Sequence, residues 1–196
     1  VTTFLKPLAC LLAAAGSLGA SDLPAWWIAL PGLPRLESGF TQESESAVFG
    51  KLRREGKLQL AKGGRLRVTY DKGMTLVTDG TNLIQYDPVA RTAQRLSLRT
   101  ARKDMPLLNL LLDPAALEDA YLVRGDQGGQ VLLEPKRKDL PAVTLDGKDG
   151  FLFRVTWTDG TGARQVLELK APRIPKTSYP ASTFTFQAPP GTRWIG

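Results

Sequence analysis

Two close pairs of carboxylates, Glu43 with Glu45 and Asp146 with Asp149, are the residues whose type and spacing first suggest chemistry. Paired acids can share the acid, base and nucleophile roles at a glycosidic bond. Both pairs lie in polar stretches that read as solvated surface, so a glycosidase-like role is set aside. The sequence has no histidine, which removes Ser-His-Asp triads, histidine general bases and nearly every catalytic zinc set. Its one cysteine is Cys10, near the N-terminus. Gly56-Lys57 is followed by Leu58, and no glycine stands five residues before Gly56, so this is no phosphate-binding loop. "DGKDG", 146–150, lacks the ligand spacing and terminal glutamate of a calcium loop and reads as a hairpin turn. No catalytic residue, metal or cofactor is expected, and the chain reads as a non-enzyme.

What remains is binding. The 196 residues suffice for one domain with a real core, and 42% hydrophobic with 23% charged residues is an ordinary globular composition. The formal charge of +7 is partly concentrated in residues 51–72, where Lys51, Arg53, Arg54, Lys57, Lys62, Arg65, Arg67 and Lys72 outnumber Glu55 and Asp71. A basic surface suits acidic partners. Tyr70 is the only aromatic in that stretch, so base stacking is poorly served and a solvated sheet face is the better reading than a nucleic-acid site.

The N-terminus reads as a bacterial secretory signal peptide, residues 1–20. Lys6 precedes an apolar run from Leu8 to Ala15 that is too short to span a bilayer, and small residues continue to Ala20. Cleavage is expected after Ala20, with a cut after Gly16 left open by the bulk of Leu18. "PLAC" resembles a lipidation box, but Pro7 sits where an aliphatic residue is wanted, and the apolar run follows Cys10 instead of preceding it. A cleaved chain, residues 21–196, would be a single cysteine-free domain suited to an oxidising periplasm.

The pattern beyond the leader is mostly that of strands. Asp22 and Pro24 open a helix on which Trp26, Trp27, Leu30, Leu33, Leu36 and Phe40 recur at roughly helical spacing, broken by Pro31-Gly32 and Pro34. Strands are expected near 48–61, 64–71, 74–79, 82–87, 93–99, 121–124, 130–135, 141–145, 150–158 and 163–170. A last extended piece holds Phe184 and Phe186. "PLLNLLLDP", 106–114, reads as a buried helix, and Asp113-Pro114 as the start of another. "GKLQLAKGGRLRVTYDKG", 56–73, alternates: Leu58 and Leu60, then Leu66, Val68 and Tyr70, share one face, while Arg65, Arg67 and Thr69 share the other. In "FLFRVTW", Phe151, Phe153, Val155 and Trp157 take one face and Leu152, Arg154 and Thr156 the other. About ten short strands with few helices predict a strongly curved antiparallel sheet, an incomplete barrel, with helices closing its concave side. Whether that side is dry against the chain's own core or against an apolar guest is open at this point.

Four segments in order carry a resemblance: "FTQ", 40–42; "GKLQLAKGGRLRVTY", 56–70; "VTDGTNLIQYDPVARTAQRLSL", 77–98; and "FTFQAPPGTRWI", 184–195. Together they resemble the periplasmic lipoprotein carrier family, LolA. The resemblance implies an unclosed, eleven-stranded half-barrel with a helical lid over an apolar cavity that shelters the acyl chains of lipoproteins. It implies a monomer that an inner-membrane lipoprotein-releasing ABC transporter loads, and that an outer-membrane receptor of the same fold unloads in many bacteria. Departures are present: Lys62-Gly63 stands where the family usually has Arg-Pro, and Val68 and Ile84 stand where it often has tryptophan. Lysine lacks arginine's planar fork of donors, so a lid latch at Lys62 would differ.

With that frame, Leu58, Leu60, Leu66, Val68, Tyr70, Ile84, Tyr86 and Leu96 are placed on the concave, lipid-binding wall. Leu107, Leu108 and Leu111 are placed in the lid, with Lys62 as the gate candidate. Arg65 and Arg67, on the outer face, read as solvated charge, with docking to an acidic surface or anionic lipid as the alternative. Alternatives to lipoprotein transport are a carrier or sensor of another periplasmic lipid or glycolipid, and an outer-membrane receptor of the same fold.

Overall fold

The computed structural model describes residues 23–48 and 50–195; the expected signal peptide, Cys10 and Asp22 lie outside them. A five-residue helix, α1 (Ala25–Ala29), and a 3-10 turn at Leu30–Gly32 precede a run of six strands. These are β1 (Arg35–Ser46), β2 (Gly50–Ala61), β3 (Arg65–Tyr70), β4 (Thr75–Asp79), β5 (Asn82–Asp87) and β6 (Thr92–Ser97). Helices α2 (Leu98–Asp104) and α3 (Asn109–Leu112) follow, with 3-10 turns at Pro106–Leu108 and Pro114–Asp119. The second strand run is β7 (Tyr121–Gly125), β8 (Gln130–Pro135), β9 (Val143–Lys148), β10 (Phe151–Thr158) and β11 (Arg164–Arg173). A 3-10 turn at Ala181–Phe184 and the short β12 (Arg193–Ile195) complete it.

All twelve strands form one unclosed sheet in the order β12-β6-β5-β4-β3-β2-β1-β11-β10-β9-β8-β7. Every pairing is antiparallel except that of β12 with β6. Strand β1 joins the two halves, pairing with β2 on one side and β11 on the other. The motif turns have a local cause. Asp79 accepts hydrogen bonds from the Thr81 and Asn82 amides at 2.8 Å, and Asp87 accepts from Val89 and Ala90. Those backbone donors hold the Asp79 carboxyl below its ordinary pKa.

Residues 35–46 form a strand, which corrects the expected broken helix through Phe40. Only Trp26, Trp27 and Leu30 belong to the helical part, whereas Leu36, Ser38 and Phe40 alternate inward on β1. Polar Ser38 and Gln42 on the inner face hide the period-two signal, and Leu33, Leu36 and Phe40 imitate helical spacing. The "FLFRVTW" faces are also corrected. The register of β10 slips between Leu152 and Arg154 on β9, and such a bulge moves every later side chain by one face. Leu152, Val155 and Trp157 therefore look inward together, while Phe153 lies outside beneath Arg154 and Lys148. Residues 98–104 are helical and not the end of a strand: Ser97 caps α2 by accepting from the Thr100 amide at 3.1 Å.

The outer-face arginines are not free. Arg67 donates to the Thr183 and Thr185 carbonyls, and Arg65 lies 5.5 Å from the Phe184 ring. Arg35 donates to Pro175 O at 2.7 Å and to Ser178, and the Tyr179 hydroxyl donates to Leu36 O. With Tyr86 against Phe186 and Arg95 over Trp194, these contacts lash the C-terminal segment across the convex face. Burial pushes the Tyr179 phenol up to about 12, so it remains a donor.

The larger core lies on the concave side, where α1 plugs one end of the sheet. Trp26 lies over Gly147, and a Cβ there would come 2.2 Å from the indole; the same indole donates to Gly129 O at 3.0 Å. Gly147→Ala is expected to expel that ring and lower stability by about 1–3 kcal/mol. Thermal unfolding together with a red shift of tryptophan fluorescence checks this; an unchanged melting temperature and spectrum would refute it.

Candidate functional site

Between the sheet and its helical cover the concave side is not filled. A hollow of ≈ 530 Å³ remains, within the range of small-molecule pockets, about 300–1,000 Å³. The sheet supplies one wall: Phe40 and Gln42 from β1, Leu58 from β2, Val68 and Tyr70 from β3, Leu152, Val155 and Trp157 from β10, and Leu167 and Leu169 from β11. Residues 104–111 supply the cover through Asp104, Met105, Leu107, Leu108, Leu110 and Leu111, while Tyr121 and the loop residues Asp139, Leu140 and Pro141 complete the rim. A water's share of liquid volume, about 30 Å³, is close to the size of a methylene. The hollow therefore holds on the order of seventeen methylenes, which is one long acyl chain.

The polar atoms of the lining are few. The Tyr70 hydroxyl donates to Gln42 Oε1 at 3.0 Å, and its ring meets Phe40 edge-on at 5.2 Å. Burial raises the pKa of both Tyr70 and Tyr121, so both phenols stay neutral. The carboxylate pairs weighed from the sequence lie elsewhere. Glu43 is ion-paired with Lys51 and Arg53, whose proximity lowers its pKa, and Asp146 accepts from Gln130. No cluster of three or more potential metal ligands occurs among the described residues.

Of the wall residues placed from sequence, Leu58, Val68 and Tyr70 line the hollow together with Leu107, Leu108 and Leu111 from the cover. Leu60 and Leu66 share that face one rung further along, sealed in the core at 7% and 1% exposure. Leu96 packs with Leu83, Leu98 and Ala101 in a smaller cluster under α2. Ile84 and Tyr86 are on the other side of the sheet. Ile84 stands opposite Val77 and Arg95, in line with the outer-face Arg67, and Tyr86 packs on Phe186. In β5, Leu83 is the inward residue. Leu83 and Ile84 are both apolar because the strand is covered on both faces there, so alternation alone does not choose between them. Lys62 is exposed in the β2–β3 turn, where its amide donates to Pro34 O and its carbonyl accepts from Arg65. It does not line the hollow.

The cover has its own brace. Arg102 of α2 donates through Nε to Asn109 Oδ1 at 2.5 Å and through a terminal nitrogen to Asp113 Oδ2 at 2.6 Å. This fork joins α2 to both ends of α3, so the two short helices behave as one plate. The sequence reading missed Arg102, along with Phe40, Leu152, Leu167 and Leu169. The alternation of Leu167 and Leu169 was a usable signal; the other residues were hidden by the misread β1 and by the β10 bulge.

Residues 33–187 match the family model described as outer membrane lipoprotein carrier protein LolA. No curated protein matches the chain. Among solved structures, a DUF1329 family protein from Desulfovibrio piger is 13% identical with a TM-score of 0.52, covering 81% of this chain and 92% of that one. An uncharacterized conserved protein from Thermus thermophilus is 10% identical with a TM-score of 0.51, covering 86% and 94% respectively. A LolA superfamily protein from Nitrosomonas europaea is 9% identical with a TM-score of 0.48 over 84% and 98% of the two chains. At such identities the likeness speaks to fold. No helix among the described residues is long and apolar enough to cross a membrane.

Removing the brace is the direct test of the plate. In Arg102→Ala, amide exchange across residues 98–113 is expected to rise roughly tenfold, while β1 and β2 keep their protection. Unchanged exchange in that segment would show that the brace does not hold the cover.

Proposed function

The chain belongs to the LolA family of outer membrane lipoprotein carrier proteins, and on that premise we propose that it is a periplasmic chaperone. In this reading it takes the acyl chains of lipoproteins into its concave hollow and carries them from the inner to the outer membrane. The observation that carries the proposal is the hollow itself, walled by hydrocarbon from both sheet halves and from the cover, and left empty by the chain's own side chains. A surface so apolar on the inside of a folded domain is explained by a guest of matching chemistry.

The energetics agree. Transfer of a methylene out of water is worth about 0.8 kcal/mol, so sheltering one long acyl chain is worth on the order of 10 kcal/mol. Release then needs a second site to accept the chain or a cover that opens within a few kcal/mol. The hollow as it stands has room for about one chain, and an outward swing of the plate of α2 and α3 would make room for an anchor bearing several. On this reading the loading partner is an inner-membrane lipoprotein-releasing ABC transporter. The unloading partner, where one is used, is an outer-membrane receptor.

The test is recovery of cargo. Protein purified from the periplasm of cells expressing it is expected to carry acylated lipoproteins, seen by mass spectrometry after extraction. Leu107→Glu, which puts a charge into the lining, is expected to lower that yield about tenfold or more. Leu132→Glu, on an exposed position, should leave it unchanged. Equal recovery with Leu107→Glu, or absence of any acylated cargo from the unaltered protein, would overturn the proposal.

A further inference from the structure

The inner face of the sheet continues past the end of its hydrocarbon. On β2, Leu58, Gly56, Arg54 and Leu52 follow one another on that face, so Arg54 stands about 13 Å along the strand from Leu58. Its register partner on β1 is Gln42, and Gln42 and Tyr70 form a polar edge of the hollow. Beyond that edge lie two further cavities, of ≈ 380 Å³ and ≈ 170 Å³, and Arg54 lines both. Tyr70 is shared by the hollow and the larger of the two, and Gln42 by the hollow and the smaller. Arg54 is exposed, so a molecule from solvent can reach its guanidinium. Burial raises the pKa of Tyr70 and the Arg54 cation pulls it back, which places that charge beside the hollow's edge. The carboxylates nearby are committed elsewhere. Glu55 and Glu43 pair with Arg53 on the outer face, Asp87 accepts from the Val89 and Ala90 amides, and Asp159 accepts from Thr161, Ala163 and Gln165. Asp71 is exposed in the β3–β4 turn next to Lys72. Arg54 has no ion pair among the described residues.

We infer that Arg54, with the Gln42 amide, is a headgroup site at the end of the hollow, and that the protein takes up single-chain amphiphiles headed by a carboxylate or a phosphate. The alkyl chain lies in the hollow and passes the Tyr70–Gln42 edge, and its oxyanion meets the guanidinium. Arginine's planar fork of donors matches two oxygens of either headgroup at once. Gln42 accepts from Tyr70 through Oε1, so its Nε2 donors are left for the same oxyanion. An apolar pocket with one charge placed at its end selects amphiphiles over plain hydrocarbon and over free anions. The inference takes from the carrier reading only that an acyl chain fills the hollow, and it adds guests other than lipoprotein anchors.

The experiment compares laurate, dodecyl phosphate and uncharged dodecanol as ligands of the purified protein by calorimetric titration, with inorganic phosphate as the headgroup alone. The unaltered protein is expected to bind each anionic amphiphile roughly tenfold more tightly than dodecanol, and inorganic phosphate roughly a hundredfold more weakly than dodecyl phosphate. Arg54→Gln is expected to lower affinity for the two anions about tenfold and to hold dodecanol within about twofold, which shows the hollow intact. Lys57→Gln removes a charge from an exposed position on the opposite face of the same strand and should change none of these affinities. The Arg54 Nε–H resonance should shift with laurate and stay in place with dodecanol, a signature that a merely structural arginine would not produce. A preference for only one of the two anions supports the site and identifies its headgroup. Equal affinities for all three amphiphiles, a preference that survives Arg54→Gln, or one lost equally in Lys57→Gln would overturn the inference and leave the carrier reading standing. Inorganic phosphate binding as tightly as dodecyl phosphate would do the same, since it would mark a site for free anions. Failure of the unaltered protein to bind any of the amphiphiles would overturn both.

Discussion

A curved sheet with an apolar inner face must have that face covered, and here the cover is too small to fill what it covers. Two helices of seven and four residues, with their flanking 3-10 turns, span the concave side of a twelve-stranded sheet. The ≈ 530 Å³ that remain are large on the scale of folding energetics. A sealed dry void costs about 24 cal/mol per Å³. At that rate such a volume would consume on the order of 10 kcal/mol, comparable with the whole net stability of a domain. The fold therefore requires the hollow to communicate with solvent or to be occupied, and its hydrocarbon lining favours occupation by an apolar guest.

The two sides of the sheet divide the labour. On the convex side, arginines and aromatics from both ends of the chain lock together, with Arg35, Arg65 and Arg67 holding the segment around Tyr179 and Phe184. Among the described residues no such arginine or aromatic lock ties the cover to the sheet, and the Leu98 amide donates to Thr81 O only where α2 begins. The cover's strongest polar contact, from Arg102 to Asn109 and Asp113, is internal. A plate stiff within itself and held to the sheet by leucine contacts can move as a body without disturbing the strand ladder. Lys62, the gate candidate, is exposed at a turn away from the lining.

Much of this was legible in the chain. Alternation across residues 56–70 placed Leu58, Val68 and Tyr70 on the wall because one face of β2 and β3 is wet and the other dry. The leucine-dense run at 106–114 announced the cover. What escaped was governed by contacts distant in sequence. Strand β1 is central, yet its inward Ser38 is satisfied by the Lys170 carbonyl of β11, a pairing invisible to local periodicity. The inward turn of Leu152 depends on a bulge, and the outward turn of Ile84 and Tyr86 on a C-terminal segment a hundred residues away that makes both faces of β5 dry.

The most direct measurement is paramagnetic broadening of methyl resonances by stearic acid carrying a nitroxide near its chain terminus. If an acyl chain from outside occupies the space between sheet and cover, the methyls of Leu58, Val68 and Leu167 broaden, while those of the exposed Leu122 and Leu132 stay sharp. Broadening confined to Leu122 and Leu132, or sharp resonances throughout at saturating probe, would contradict it.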